Sequence, residues 1–347
     1  MYLSSPSSAL TRSNWGPANG SSSKVGSLTQ SIRSPYRGKI RRIGLISEIY
    51  ENQVDLLLEV LPIVARHPEF AIKGGTALNL FCLDMPRLSV DIDLCYLPIK
   101  DRSESYSDIH RILDQMKDQI ERTFGFKAQP NHPLDGKREA RIVVATGSAN
   151  IKIEPNYVLR GSLFAPIQME ISEIVQARFE KNATALVLDQ SDLYGGKFCA
   201  ALDRQHPRDL FDVHHYFLRN SINTQVKDAF IFYLLSHNRP THELLDAREL
   251  NIAEIYESDF LGMTDREISV SDLTQARTKL KFELLSALDD RDRRFLTTFT
   301  KNDPDWSCYN QPKIKDYPSI RWKLHNLGKI SERKRVEQTK LLADILK

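Results

Sequence analysis

The 347-residue chain is poor in cysteine, and its four cysteines, Cys82, Cys95, Cys199 and Cys308, are scattered. Three of them sit inside apolar stretches, which suits buried thiols in a reducing compartment and excludes a disulfide framework; no zinc-ligand spacing occurs either. A surplus of one charge is also missing. The 48 Lys and Arg against 45 Asp and Glu leave a formal charge of +3, so any polyanion site has to be a local patch. No apolar run approaches the length of a membrane span, and the first residues lack the basic start and apolar core of a secretory signal, so a cytoplasmic protein without a membrane partner is expected. A nucleophile elbow, a Walker phosphate loop, a dinucleotide fingerprint and internal repeats are all lacking. The remaining composition, 41% apolar and 27% charged, is that of a globular protein and leaves enzyme and binding module equally open.

What is present falls into three segments. Residues 1–38 are dominated by Ser, Gly, Pro and Asn around Trp15, too little apolar surface to offset the entropy of ordering, and read as a flexible tail. The basic cluster Arg37, Lys39, Arg41 and Arg42 closes it, as a solvated linker in preference to a nucleic-acid contact. Residues 39–180 alternate helix and strand. An amphipathic helix is expected from Ile43 to Leu61, ended or kinked by Pro62, then a strand at Phe70 to Lys73, an apolar helix from Ala77 to Leu83, and a strand from Leu88 to Leu94 or Leu97. A helix from Ser107 to Phe124 follows, with strands at Arg141 to Ala145 and Asn150 to Glu154 around the Gly147-Ser148 turn. This order predicts an α/β (α+β) fold with a small mixed sheet flanked by helices. Residues 181–347 are mainly helical, with helices expected at Asp192 to Asp203, Asp209 to Leu218, Val226 to Leu235 and Glu332 to Lys347, and a surface loop at Asp303 to Pro318.

Chemistry concentrates between Ile72 and Leu94. The pair Gly74-Gly75 lets the backbone approach a ligand, Thr76 offers a hydroxyl, and the amides and dipole of the helix that opens there suit an anion. Asp91 and Asp93 are two apart on a strand, so both carboxylates point to one face with Cα atoms about 7 Å apart, a spacing that can share a divalent cation. Val90, Ile92 and Leu94 take the core face. Alone, a glycine pair is a plain turn and an Asp-x-Asp a solvated strand end; their succession is what points to triphosphate chemistry. Two magnesium ions need a third carboxylate, for which Glu154 at the end of Asn150-Ile-Lys-Ile-Glu154 is the best candidate, with Pro155 ending its strand. An exposed strand-terminal acid remains the other reading of Glu154.

A second dense segment runs from Asp192 to Asp212. Lys197 and Arg204 are seven apart and share a helix face with Ala200 and Ala201, whose small side chains leave room for a ligand. Pro207 starts the next helix, where Arg208 adds a cation and Asp209 and Asp212 share a face. These groups can clamp a triphosphate or pair with one another across two packed helices. His206, His214 and His215 have no spacing suited to zinc, since the latter two diverge around their helix.

With Lys73-Gly-Gly-Thr-Ala-Leu78, Arg87-x-Ser-x-Asp-Ile-Asp-Leu94, the Ile153-Glu154 strand and Lys197 to Asp212, the chain resembles the AbiEii family of nucleotidyltransferase toxins, a group that also takes in the mycobacterial MenT toxins. The resemblance covers roughly residues 45 to 220. It implies a polymerase-beta-like nucleotidyltransferase domain at 39–180 followed by a helical domain, and the toxin half of a type IV toxin–antitoxin pair acting in growth arrest or phage defence. It further implies transfer of a nucleoside monophosphate from a triphosphate, in some members to the 3′ end of tRNA. Gly74, Gly75 and Thr76 would hold phosphate, Asp91 and Asp93 would bind magnesium, Lys197 would contact the triphosphate, and Arg208, Asp209 and Asp212 would complete the pocket. Glu154, as third metal ligand or as base, stands where such folds more often carry Asp. The expected reaction is in-line attack of an acceptor hydroxyl on the α-phosphorus, with a tRNA acceptor and with a cognate antitoxin that need not bind directly. Transfer to a protein hydroxyl and a catalytically silent RNA-binding module are the alternatives.

Overall fold

The computed structural model describes residues 46–131 and 140–347. The tail and the basic cluster before residue 46 lie outside the described residues. Helix α1 (Glu48–Val64) leads into strand β1 (Phe70–Lys73). The chain then turns at once into helix, α2 (Gly74–Thr76), which widens to π geometry over Ala77–Cys82. Strand β2 (Ile92–Tyr96), helix α3 (Arg102–Phe124) and strands β3 (Lys127–Asn131), β4 (Arg141–Ala145) and β5 (Asn150–Asn156) follow. Strand β6 (Ile167–Glu170), helix α4 (Glu173–Phe179) and strand β7 (Thr184–Val187) complete the sheet, which therefore continues past residue 180.

Everything after Val187 is helical: α5 (Gln190–Asp203), α6 (Pro207–Phe217), α7 (Thr224–Ser236), α8 (Thr241–Leu245), α9 (Ala253–Asp259), α10 (Val270–Ala287), α11 (Asp290–Thr300), α12 (Pro318–Lys329) and α13 (Glu332–Ile345). The expected loop at 303–318 holds two short 3-10 turns, Trp306–Cys308 and Pro312–Asp316. No helix among the described residues is long and apolar enough to cross a membrane.

The seven strands form one mixed sheet in the order β3-β4-β5-β2-β1-β7-β6. β2 lies antiparallel to β1 and parallel to β5, so the strand that carries Asp93, with Asp91 just ahead of its first residue, is central. Alternation along β2 decides what each face receives. Ile92, Leu94 and Tyr96 are fully buried, and the Tyr96 hydroxyl donates to Asp108 of α3. Asp91 and Asp93 take the opposite face, toward the helices that follow β7.

Several expected boundaries shift for physical reasons. Helix α1 passes through Pro62, whose exposed ring sits within three residues of the helix end, so the chain forfeits one late hydrogen bond and still runs to Val64. Residues 88–91 are not strand: the Leu88 amide donates to the carbonyl of Met263 and the Asp91 carbonyl is taken by Thr76, so the ladder begins only at Ile92. Strand β5 continues past Pro155, which pairs opposite Leu94.

Candidate active site

The site begins where β1 hands over to α2. Gly74 has φ +70°, and a Cβ placed on it would lie 2.2 Å from Asp93 Oδ2, so the backbone turn and the carboxylate occupy space that a side chain would claim. Asp93 is thus packed directly on the glycine turn. Beneath it, Thr76 is fully buried, its hydroxyl donating to the Asp91 carbonyl and lying 3.1 Å from Ser89 Oγ. Its side chain braces the loop that carries Asp91, and only its backbone amide remains for an anion. Asn79 of the π segment donates to the Gly75 carbonyl (2.9 Å) and accepts from the Arg87 amide (3.4 Å), tying helix to loop.

Three carboxylates, none of them fully exposed, share the face of the sheet turned toward α5 and α6. Asp93 and Glu154 are register partners on neighbouring parallel strands, and Asp91 sits on the loop two residues ahead of Asp93, with Lys152 and Glu154 acting on it. Burial raises the Asp93 carboxyl above its ordinary range; Lys73 and Lys197 oppose that shift, while Asp91 and Glu154 add to it. Asp91 is also raised, again by burial first, with Lys152 and Arg208 opposing and Glu154 reinforcing. The Glu154 carboxylate is held by Arg141 Nη1 at 2.8 Å and stays about one-third exposed. Among the described residues no three acidic, His or Cys side chains already stand as a metal cluster. The donor chemistry of the aspartate pair nevertheless fits a divalent cation, because one cation between them would relieve the repulsion and burial cost that raise both groups.

Opposite the carboxylates, α5 and α6 supply cations and the groups that hold them. Lys197 Nζ lies 2.7 Å from Asp209 and 3.0 Å from Asp212, and Arg204 donates to Asp209 at 2.5 and 3.0 Å. All three of Lys197, Asp209 and Asp212 are buried. Burial alone would raise the Asp209 carboxyl, but Lys197 and Arg204 outweigh it and hold it well below the usual carboxylate range. Asp212 is lowered in the same way, burial being overcome by Arg87 and Lys197. Of the two readings of this segment, the pairing across packed helices is therefore the one these acids adopt. Lys197 and Arg204 also act on Asp93, and Arg208 acts on Asp91, so their charge reaches the carboxylate face. His206 caps α6, accepting from the Arg208 amide through Nδ1 at 3.1 Å.

The structure thus gathers Gly74, Gly75, Thr76, Asp91, Asp93, Glu154, Lys197, Arg204, Arg208, Asp209 and Asp212 around one surface. Three residues outside that expected set belong with them. Arg87 lies under Gly75, where a Cβ would come within 2.7 Å of Nη2, and its guanidinium grips Asp212. Lys73 pairs opposite Asp93 in the β1–β2 ladder, and Arg141 holds Glu154. The signal for Arg87 and Lys73 was their position inside the two glycine and aspartate motifs; nothing local marks Arg141.

The family model described as nucleotidyl transferase AbiEii toxin, type IV TA system, matches residues 55–326. No curated protein gives a significant match. Among solved structures, the chain is similar to MenT4, a nucleotidyltransferase toxin from Mycobacterium tuberculosis H37Rv, with 16% identity and a TM-score of 0.54 over 86% of this chain and 94% of that one. That likeness is one of fold.

Proposed function

Because the chain belongs to the AbiEii family of nucleotidyltransferase toxins of type IV toxin–antitoxin systems, we propose that it transfers a nucleoside monophosphate from a triphosphate to the 3′-terminal hydroxyl of a tRNA, in the cytoplasm and with magnesium. The observation that carries this reading is the packing of Asp93 on Gly74, with Glu154 as its strand neighbour and Lys197 facing it. A phosphate-sized anion at the Gly74–Thr76 amides would lie beside the carboxylates that a cation would bridge.

In this reading the backbone amides of Gly75 and Thr76 hold triphosphate oxygens, and Lys197, Arg204 and Arg208 offset the charge of the leaving pyrophosphate. Magnesium, when bound, would be held by Asp91 and Asp93 with Glu154 beside them and would neutralise phosphate charge. The acceptor oxygen attacks the α-phosphorus in line; the new O–P bond forms as the α–β bridging bond breaks, and pyrophosphate departs with the electron pair. Glu154, oriented by Arg141, takes the hydroxyl proton. Asp209 and Asp212 do not touch substrate in this scheme. They fix Lys197, Arg204 and Arg87 behind the pocket. A cognate antitoxin opposes the resulting growth arrest, with or without direct binding.

The test is an incubation of purified protein with each of the four radiolabelled triphosphates, total RNA and magnesium. Label on tRNA is the expected result; label on protein instead would move the acceptor to a protein hydroxyl. Absence of label with every triphosphate, alongside RNA binding indifferent to Asp91→Asn, would leave a silent RNA-binding module and overturn the proposal.

A further inference from the structure

An open cavity of about 500 Å³, lined by apolar and charged side chains together, lies beyond the catalytic face. It opens where β5 ends: Tyr157 and Val158 line it, three and four residues past Glu154, which is about 10 Å along an extended chain. Its volume falls within the range of roughly 300–1,000 Å³ that encloses small ligands. The first residues of two long helices, Arg102 of α3 and Pro318 of α12, both lie on its wall. Helix starts present the positive end of the helix dipole, and that of α3 also presents unpaired amides, which Pro318 lacks.

The charge that stands out inside it is Arg160. The side chain is only 5% exposed, its Nε has no hydrogen-bond partner, and its Nη1 reaches no more than the carbonyls of Lys100 and Asp101 at 3.3 and 3.5 Å. Among the described residues no carboxylate pairs with it. Burial lowers this guanidinium from its ordinary range, with Arg102 adding to the shift and Tyr106, Tyr96 and Asp101 opposing it without cancelling it. Lys100 adds little, since Glu104 (3.1 Å) and Asp108 (2.7 Å) neutralise it, and Asp101 is the acid on the wall. Arg102 and Arg321 more than offset that acid. A buried guanidinium that meets two carbonyls and no carboxylate, on the wall of a roomy cavity, is a site for an anion.

The aromatic wall narrows the anion's identity. Trp322 is 47% exposed at the rim, and the Arg102 guanidinium sits between it and Tyr106, 6.0 and 5.2 Å from the two ring centres. An inorganic ion uses none of this flat surface; a nucleobase stacks on it. We propose that this cavity is a second nucleotide site, taking the phosphate of a nucleoside phosphate on Arg160, Arg102 and Arg321 and its base against Trp322. The unit comes either as a free mononucleotide or as one residue of a single-stranded RNA. The site stands independently of the transfer reaction.

The test measures fluorescence anisotropy of the full chain in EDTA, so that no turnover occurs. One probe is a fluorescein-labelled eight-nucleotide RNA with a 3′-deoxy end, the other a fluorescein-labelled mononucleotide. At least one probe should bind, and its affinity should fall at least about tenfold in Trp322→Leu and in Arg102→Gln, both exposed substitutions, while Lys340→Gln, an exposed cation outside the cavity lining, binds as wild type. Loss confined to the RNA assigns the site to a strand; loss with the mononucleotide assigns it to free nucleotide. Thermal melts of each variant separate lost binding from lost fold. Arg160→Met adds the buried cation if it melts like wild type. If neither probe weakens in either exposed variant, or if inorganic phosphate competes as well as the unlabelled mononucleotide, the proposal is overturned, whatever the transfer assay gives.

Discussion

Arg87 and Asp212 are joined by two hydrogen bonds, Nε to Oδ1 at 2.7 Å and Nη2 to Oδ2 at 2.6 Å, across 125 positions of sequence and with almost no solvent access. This fork fastens the loop ahead of Asp91 to α6, and so ties the carboxylate side of the site to the cation side. Such planar two-point pairing is a property of guanidinium that an ammonium cannot copy. Arg87→Met should therefore leave Asp212 with Lys197 alone and cost about 3 kcal/mol of folding stability, the low end for breaking a buried pair. Urea unfolding measures it, and Arg87→Lys should recover little. A loss under about 1 kcal/mol would mean that Asp212 does not depend on the fork.

Gly74→Ala tests the contact on which the proposed site rests. The added methyl would meet Asp93 Oδ2 at 2.2 Å in a backbone that already disfavours side chains, so the carboxylate has to move. A displacement of about 1 Å at a reacting group can cost on the order of 10²-fold in rate. Gly125→Ala is the matched control: it has φ +68° with nothing within 4 Å, so it carries the backbone strain alone. Nucleotide transfer should collapse in the first variant and hold in the second, with a loss of melting temperature in both that is larger in Gly74→Ala by the cost of moving Asp93. Equal activity in both would remove Asp93 from the chemistry.

The pH dependence separates site from scaffold. Asp91 and Asp93 are raised above the ordinary carboxylate value when no cation sits between them, so as pH falls protons compete with magnesium for both groups, and transfer that needs them ionised declines at limiting magnesium. Asp209 and Asp212 are depressed, so their stabilisation is fully present above the unfolded value near ~3.9 and is lost only as pH falls through their lower folded values. Activity should accordingly vanish on an acid limb at which circular dichroism still reports a folded chain. Coincident loss of activity and fold would contradict the assignment of these two pairs to different jobs.

What the sequence could disclose follows the range of each interaction. The glycine pair at a helix start and the aspartates at strand spacing are local patterns, and the structure puts Asp93 on Gly74 as that succession suggests. Lys197 and Arg204 share a face because helical period alone requires it, and both reach Asp209. Other features had no local trace. Strands β6 and β7 have four residues each, and β6 is largely exposed, so no alternation marks it; β3 contains Pro130, which argues against a strand unless the strand is an edge, as β3 is. The Arg87–Asp212 fork depends on two helices and a loop meeting, and the role of Thr76 changes from offered hydroxyl to brace once Asp91 lies above it. Long-range partners choose among readings that short-range patterns leave equal.

Lys197 offers the sharpest separation of structural from catalytic charge. It contacts two buried aspartates and its field reaches Asp93, so its loss should weaken both the fold and the handling of the triphosphate. Lys197→Met leaves Asp209 with Arg204 and Asp212 with Arg87, so each acid keeps one partner and the stability loss should stay near ~3 kcal/mol. If Lys197 also offsets charge on the departing pyrophosphate, transfer measured well below the unfolding midpoint should fall on the order of 10²-fold. Lys197→Arg is the discriminating variant, because the wider guanidinium does not fit a pocket in which a single ammonium sits 2.7 and 3.0 Å from two carboxylates. Steady-state kinetics on folded protein reads the difference: a purely structural Lys197 predicts wild-type turnover in whatever fraction of either variant remains folded.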